Sequence, residues 1–150
     1  MKVIVDNRKA RFDYQTFDVY EAGIELLGTE VKSLREGRAN LRDAYATVKG
    51  GQVFLMGAHI APYERGSAFS VHDPTRTRRL LLHRREIAEL AGQVRERGMT
   101  LVPLRLYFNG RGRAKVEIAV AKGRKRYDKR RQIVDREAKR AIARAMRSRR

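Results

Sequence analysis

The chain has 150 residues, enough for one domain, and its 35 Lys and Arg against 17 Asp and Glu give a net charge of +18. The absence of cysteine excludes disulfide frameworks, thiol catalysis and zinc ribbons. No apolar run reaches the roughly 18 to 20 residues of a membrane span, and the N-terminus has no secretory apolar region. We therefore expect a soluble, cytoplasmic domain whose partner is a polyanion, nucleic acid above all.

The first predicted elements are a strand and a short helix. Alternation over residues 12–20 predicts a strand that continues to residue 26. Residues 28–35 predict a helix with Thr29 as its N-cap. Within this helix, the carboxylate of Glu30 is suited to accept hydrogen bonds from a base edge or a 2′-OH. A solvated position on the helix surface is the alternative interpretation.

Two hairpins account for most of the predicted sheet. The first joins residues 44–48 to 53–58 through a glycine turn, and the second joins 101–108 to 114–121 through an Asn-Gly turn. Pro103 lies inside a strand-like run, which indicates an edge or a bulge. Several short antiparallel strands in about 120 residues predict a mainly β, α+β protein built on a small, closed or nearly closed barrel.

A second helix is predicted from near Arg79 to Arg97, before Gly98. Its apolar positions at helical spacing are Leu80, His83, Ile87, Leu90 and Val94. His83 on this face indicates a buried histidine. The other two histidines, His59 and His72, have no neighbours at a catalytic or metal-binding spacing, and no phosphate loop or nucleophile elbow occurs. We therefore predict no catalytic residue, no metal and no cofactor.

A cluster of arginines precedes this helix. Arg76, Arg78 and Arg79 alternate with Thr75 and Thr77, and guanidinium groups beside hydroxyls suit phosphate contacts. A solvated helix face is the alternative for any one of these arginines. The pattern predicts a phosphate-binding surface on the body.

The positive charge is concentrated at the C-terminus, because residues 122–150 contain 14 of the 35 basic residues and three of the 17 acidic ones. We divide the chain into a body of residues 1–121 and a basic tail of residues 122–150. The tail has a narrow apolar stripe at helical spacing: Val134, Ala138, Ala141, Ile142, Ala145 and Met146. Because its like charges repel one another, we expect it to be disordered alone and helical on a polyanion. A terminal helix docked on the body is the alternative. Tyr127, in the basic segment, is suited to stack on a base.

Several of these segments together resemble the SsrA-binding protein family, the small protein B of bacterial trans-translation. The matching segments are residues 21–24 (EAGI), 28–35 (GTEVKSLR), 60–63 (IAPY), 73–83 (DPTRTRRLLLH), 101–104 (LVPL) and 128–130 (DKR). The resemblance extends from about residue 7 to residue 136 without a large insertion.

The resemblance implies an oligonucleotide-binding-type barrel flanked by two to three helices, and a monomer that catalyses nothing. Such a protein binds the tRNA-like domain of transfer-messenger RNA (tmRNA) and delivers it to stalled 70S ribosomes, with elongation factor Tu on the charged RNA. Its tail enters the empty mRNA channel, contacts rRNA and becomes helical there. The nascent chain is then tagged and the ribosome is released.

The resemblance also assigns residues to these two steps. It places RNA contacts of the body on the helix of residues 28–35, where the candidates are Gly28, Thr29, Glu30, Lys32, Ser33 and Arg35. The arginine cluster described above adds Arg76, Arg78 and Arg79 as candidate phosphate contacts. The decoding-centre contacts fall on Tyr127, Asp128, Lys129, Arg130 and Arg131. Many family members carry His where this chain has Tyr127, so a role for a protonated imidazole does not transfer to this chain.

Two other functions fit the composition. A ribosomal or initiation-factor-like barrel that binds rRNA constitutively would be equally basic, although it would not need these motifs in this order. An RNA-processing enzyme would need a metal-binding or histidine cluster, which the sequence does not contain.

Overall fold

The computed structural model describes residues 1–63, 72–124 and 126–148, with side chains up to residue 124 and from 133 to 146. The elements in this part of the chain are β1 (Lys2–Asp6), α1 (Arg8–Asp13), β2 (Tyr14–Ile24), α2 (Gly28–Arg35), β3 (Ala39–Asn40), β4 (Tyr45–Lys49), β5 (Gln52–Met56), β6 (His59–Ile60), β7 (Arg78–Leu81), α3 (Arg84–Arg97), β8 (Thr100–Phe108), β9 (Ala114–Gly123) and α4 (Arg126–Ser148). The predicted mainly β class with flanking helices is confirmed.

The main sheet is antiparallel and closes on itself. Its order is β1-β8-β4-β5-β7-β2-β9, and β8 also pairs with β9, so six strands form a ring to which β1 is added. Strands β3 and β6 form a separate two-stranded ribbon. Closure removes most of the exposed strand edges that a small open sheet would present.

Both predicted hairpins are present, and their turns show why glycine is needed. Gly50 and Gly51 have φ values of +59° and +73°, as a two-residue turn with left-handed backbone at both positions requires. In the second turn the left-handed residue is Gly112, while Asn109 accepts backbone hydrogen bonds through its side chain. The irregularity predicted at Pro103 is a bulge, since the β8–β9 register shifts just after it.

The barrel interior forms the main core. Val53, Leu90 and Ile118 are each 0% exposed there, and burying each such side chain contributes about 1.5–3 kcal/mol. A second, smaller cluster lies where α1 covers the other face of β8 and β9. Asn7 fixes the start of α1, because its side-chain nitrogen donates to the carbonyl of Pro103 at 2.9 Å.

The prediction for the second helix is wrong at its N-terminal end. Residues 78–81 form strand β7, which pairs with β5 and β2, and α3 begins only at Arg84. Hydrogen bonds to both neighbouring strands satisfy the backbone N–H and C=O groups of β7. The local sequence does not specify which strands these neighbours are. His83 is exposed just before the helix, and its backbone N–H donates to Glu86. The predicted stop at Gly98 is confirmed by its left-handed conformation.

The N-terminal region contains two elements that the sequence analysis did not predict, β1 and α1. Strand β2 accordingly begins at Tyr14 and ends at Ile24. At the other end of the body, β9 extends to Gly123, and the backbone N–H of Arg124 donates to Asp13 at 2.8 Å. The tail therefore leaves the barrel beside the start of β2.

Within the tail, residues 126–148 form one helix, α4. Its apolar stripe faces solvent, with Val134, Ile142 and Met146 each 61–68% exposed. The stripe is therefore not covered by the body, as a docked terminal helix would require. Disorder of the tail in the absence of a polyanion remains a prediction. Within the described residues, no helix is both long and apolar enough to span a membrane.

Candidate nucleic-acid interface

Helix α2 has two faces with different roles. Gly28, Lys32 and Arg35, spaced four and three residues apart, are exposed and form one outward stripe. The inward residues are Glu30, Ser33 and Leu34, each 0–1% exposed. Because two of these three are polar, hydrogen bonds and ion pairs attach this short helix to the body together with the core packing of Leu34.

The centre of this attachment is the carboxylate of Glu30. One oxygen accepts from the backbone N–H of Leu27 at 2.7 Å and from Arg76 Nη2 at 2.6 Å. The other oxygen accepts from Arg78 Nε at 2.6 Å. Burial by itself would raise the pKa of Glu30, but these hydrogen bonds hold the pKa below its ordinary value. Glu30 is therefore ionised near neutral pH, and the solvated alternative is wrong.

Arg78 is the other fully buried member of this cluster. Its guanidinium donates to Glu30 and also to the carbonyls of Ala58 at 2.9 Å and Pro74 at 3.1 Å. Burial lowers the pKa of Arg78, and the hydrogen bond with Glu30 opposes that shift. Since all three guanidinium nitrogens point inward, Arg78 is not placed to contact a phosphate. Its observed role is to join α2 to the strands beneath it.

A histidine clamps the first turn of α2. His72 is 5% exposed; its Nε2 donates to the carbonyl of Ile60, and its Nδ1 accepts from the hydroxyl of Thr29, both at 2.9 Å. Thr29 thus serves as a partner of His72 and is not the N-cap, which is Leu27. The buried histidine is His72, whereas His83, predicted for that role, is exposed.

The remaining predicted contacts of the body lie nearer the surface. Ser33 is the exception, because its hydroxyl donates to the carbonyl of Ala61 at 2.6 Å and is buried. Lys32 lies over the ring of Tyr63, with its ammonium 5.4 Å from the ring centre. Arg76 is 33% exposed, and Arg79 is half-buried in an ion pair with Glu25.

Beside α2 lies a groove that the sequence analysis missed. It has a volume of about 370 Å³ and runs between α2 and the β8–β9 hairpin, with Leu81 on one wall and Arg113 and Lys115 on the other. Leu81 is 47% exposed although it is apolar. Glycine at position 23 leaves room for Leu81, because a Cβ there would lie 3.2 Å from the Cβ of Leu81 and make a tight contact. The groove depends on which residues of neighbouring strands lie opposite one another. The local sequence pattern does not reveal this register.

The predicted tail contacts lie at the start of α4. The backbone of Tyr127, Asp128, Lys129, Arg130 and Arg131 is helical, and their side chains fall outside the described part. The residues predicted to bind RNA therefore fall on two parts of the chain, the surroundings of α2 and the start of α4. Among the residues that the structure describes, no group of three acidic, histidine or cysteine side chains is arranged to hold a metal ion.

Comparison with known proteins gives a consistent result along the chain. A family model described as SmpB protein matches residues 4–148. A protein named SsrA-binding protein from Moorella thermoacetica is 58% identical over 149 residues, covering 99% of this chain and 96% of that relative. Another of the same name, from Geobacillus thermodenitrificans, is 57% identical over 148 residues and covers 99% and 94% of the two chains.

A solved structure extends the likeness to three dimensions. It is named "tmRNA-SmpB: a journey to the center of the bacterial ribosome", and one of its chains is 48% identical to this one with a TM-score of 0.69. The match covers 84% of this chain and 87% of that chain. The fold agrees with these matches, since the barrel is closed and antiparallel and helix α2 presents a basic stripe outward. Because the family model matches nearly the whole length, the chain belongs to the SmpB family.

Proposed function

We propose that this chain binds tmRNA and acts with it in trans-translation on stalled ribosomes. The observation that carries the proposal is the match to the SmpB family over residues 4–148, together with relatives named for SsrA binding. The net charge of +18 supports it, because phosphate neutralisation supplies much of the affinity of such complexes. The chain acts as a monomer in the cytoplasm and is itself not a catalyst.

The body holds the tRNA-like domain through α2 and its surroundings. The outward stripe of Gly28, Lys32 and Arg35 contacts the RNA backbone, with Arg76 and Arg79 beside it. Thr29, Glu30, Ser33 and Arg78 support this surface from below. This division gives every body residue assigned from the sequence a role that fits its burial.

The groove next to α2 takes part in the same contact. Leu81 offers an apolar surface for a nucleobase, and Arg113 and Lys115 lie where the adjoining phosphates would follow. An unpaired base inserted there would position the RNA by shape. This contact adds specificity to an electrostatic attraction that every RNA shares.

The tail serves the ribosome. Helix α4 has 23 residues, a length of about 34 Å at 1.5 Å per residue, and it is strongly basic. The empty mRNA channel of a stalled ribosome is lined by rRNA and supplies the negative charge that α4 lacks. Tyr127, Asp128, Lys129, Arg130 and Arg131 lie at the decoding centre, and elongation factor Tu brings the charged tmRNA.

A reconstituted assay tests this function. Ribosomes stalled on an mRNA without a stop codon are mixed with charged tmRNA and elongation factor Tu, with or without the protein. We expect the nascent chain to receive the tag only when the protein is present. Tagging that is equally efficient without the protein would contradict the proposal.

A second experiment separates a rescue factor from a constitutive ribosomal protein. Idle ribosomes are washed in high salt and assayed for the protein. A rescue factor is removed by the wash, whereas a structural component stays bound at one copy per ribosome.

A further inference from the structure

We propose that Glu30 is a positioning residue that orients the guanidinium of Arg76 toward a phosphate of the bound RNA and does not contact the RNA itself. The inference rests on the proposed function and specifies how one part of that surface works. It assigns different roles to Arg76 and Arg78, which the sequence presents as equivalent. The phosphate ligand is a backbone phosphate of the tRNA-like domain.

The carboxylate of Glu30 has no capacity left for RNA. Its side chain is 0% exposed. Oε1 accepts from Leu27 and Arg76, and Oε2 accepts from Arg78 and, at 3.4 Å, from Arg76 Nε. Each oxygen thus has two donors, which is as many as its lone pairs accommodate. A base edge would have to displace an arginine to reach Glu30.

Arg76, in contrast, is held on one side and open on the other. Its Nε and Nη2 face Glu30, and Nη2 also donates to the carbonyl of Glu25 at 3.3 Å. Among the residues that the structure describes, the contact of Nη1 is a long one of 3.4 Å to the carbonyl of Thr77. One-third of the side chain is exposed. The planar group is thus fixed in orientation with one edge directed to solvent, as a guanidinium prepared for an anion must be.

The charges of the cluster point to the same ligand. Two guanidinium groups share the carboxylate of Glu30, which by itself balances only one of their two positive charges. Glu25 is engaged with Arg79, and Asp73 acts on Arg78. Because Arg78 is 0% exposed, only Arg76 can bring the second charge to an external anion. A phosphate at the open edge of Arg76 completes the cluster.

The test measures binding of the isolated tRNA-like domain over a range of salt concentrations. The variants are Arg76→Gln, Arg76→Lys and Glu30→Gln, and the control is Arg95→Gln, which removes one exposed positive charge from α3. We expect Arg76→Gln to weaken binding about tenfold or more, since a charge-assisted hydrogen bond is lost. The slope of the logarithm of the binding constant against the logarithm of the salt concentration should become smaller by about 0.7–0.9, which corresponds to the loss of one phosphate contact.

The conservative variant separates geometry from charge. Lysine keeps the positive charge, but it lacks the planar group that can donate to Glu30 and to a phosphate at the same time. Arg76→Lys should therefore restore less than half of the binding free energy that Arg76→Gln loses. Arg95→Gln should change affinity less than twofold. Equal affinities of the Arg76→Gln and control variants would overturn the proposal.

A double-mutant cycle tests the role of Glu30. If Glu30 acts through Arg76, Glu30→Gln weakens binding in the wild-type background but has little further effect in Arg76→Gln. Additive losses would show that Glu30 does not act through Arg76 and would overturn the proposal. If Glu30→Gln lowers the fraction of folded protein, the test of the phosphate contact depends on the variants of Arg76, a residue that is partly exposed. Failure of the wild-type protein to bind the domain at all would instead contradict the proposed function.

Discussion

The carboxylate of Glu30 lies 2.6 Å from Nε of Arg78, and neither side chain is exposed to solvent. This ion pair joins the first turn of α2 to the start of β7, 48 residues later in the chain. Breaking a buried pair by removing one partner costs about 3–5 kcal/mol, because the other charge is left uncompensated. The position of the candidate RNA-binding helix thus depends on two charged residues inside the body.

The first prediction concerns acid stability. The pKa of Glu30 is lowered from its ordinary value of 4.5, so ionised Glu30 stabilises the fold fully above pH 4.5, and this contribution is lost as the pH falls through the lowered pKa. Glu30→Gln should lower the free energy of unfolding by about 3–5 kcal/mol at pH 7 and flatten its decline below pH 4.5. Urea unfolding between pH 3 and pH 7 measures both effects, and parallel curves for the two proteins would contradict the account.

The second prediction concerns Asn7, which links three backbone segments. Its side chain donates to the carbonyls of Leu41 and Pro103 and accepts from the N–H of Ala10. Asn7→Ala leaves these buried groups unpaired and should destabilise the protein by about 1–3 kcal/mol. Asn40→Ala, at an exposed position with one local hydrogen bond, is the matched control. Thermal unfolding of the two variants should separate them by several degrees, and an equal shift would count against a linking role for Asn7.

The fold was predictable where local chemistry determines it. Gly50 and Gly51 specify a tight turn whatever surrounds them, and Gly98 ends a helix by its backbone conformation. The sequence predicts a helix from near Arg79, because the apolar residues there recur at a spacing that suits either structure. Their strand depends on β5 and β2, whose positions no local pattern specifies.

The site was predictable in its residue types but not in their burial. Glu30, Ser33 and Arg78, predicted as parts of one RNA-binding surface, do lie in one region of the structure, but charged residues are exposed by default and their burial was not predictable. Only their mutual contacts make burial possible, and those contacts join distant segments. His72 was missed for the same reason, because its partners Thr29 and Ile60 lie far from it in the sequence.

The third prediction concerns the start of the tail. Lys129→Ala with Arg130→Ala should change the affinity for the tRNA-like domain less than threefold and abolish tagging, because we propose that these residues act on the ribosome. The matched control removes two charges farther along α4, Lys139→Ala with Arg140→Ala, and should retain more tagging. The reconstituted stalled-ribosome assay compares them. Full tagging by the first double variant would refute the division of labour between body and tail.

The fourth prediction concerns the conformation of the tail before it meets RNA. The apolar stripe of α4 is exposed, and a helix with like charges on successive turns gains little stability by itself. Amide hydrogens of residues 133–146 should therefore exchange within about tenfold of the unfolded rate in the free protein. They should become protected on ribosomes. Strong protection in the free protein would contradict the expectation of disorder.

The central claim is that the body recognises one RNA specifically, and a competition titration tests it most directly. The purified protein is titrated with the isolated tRNA-like domain at near-physiological salt, with ordinary tRNA as competitor. We predict saturable binding of one protein per RNA that persists in a large excess of tRNA. Equal and salt-sensitive binding to both RNAs would contradict the account, because it would leave only the non-specific affinity of a basic barrel.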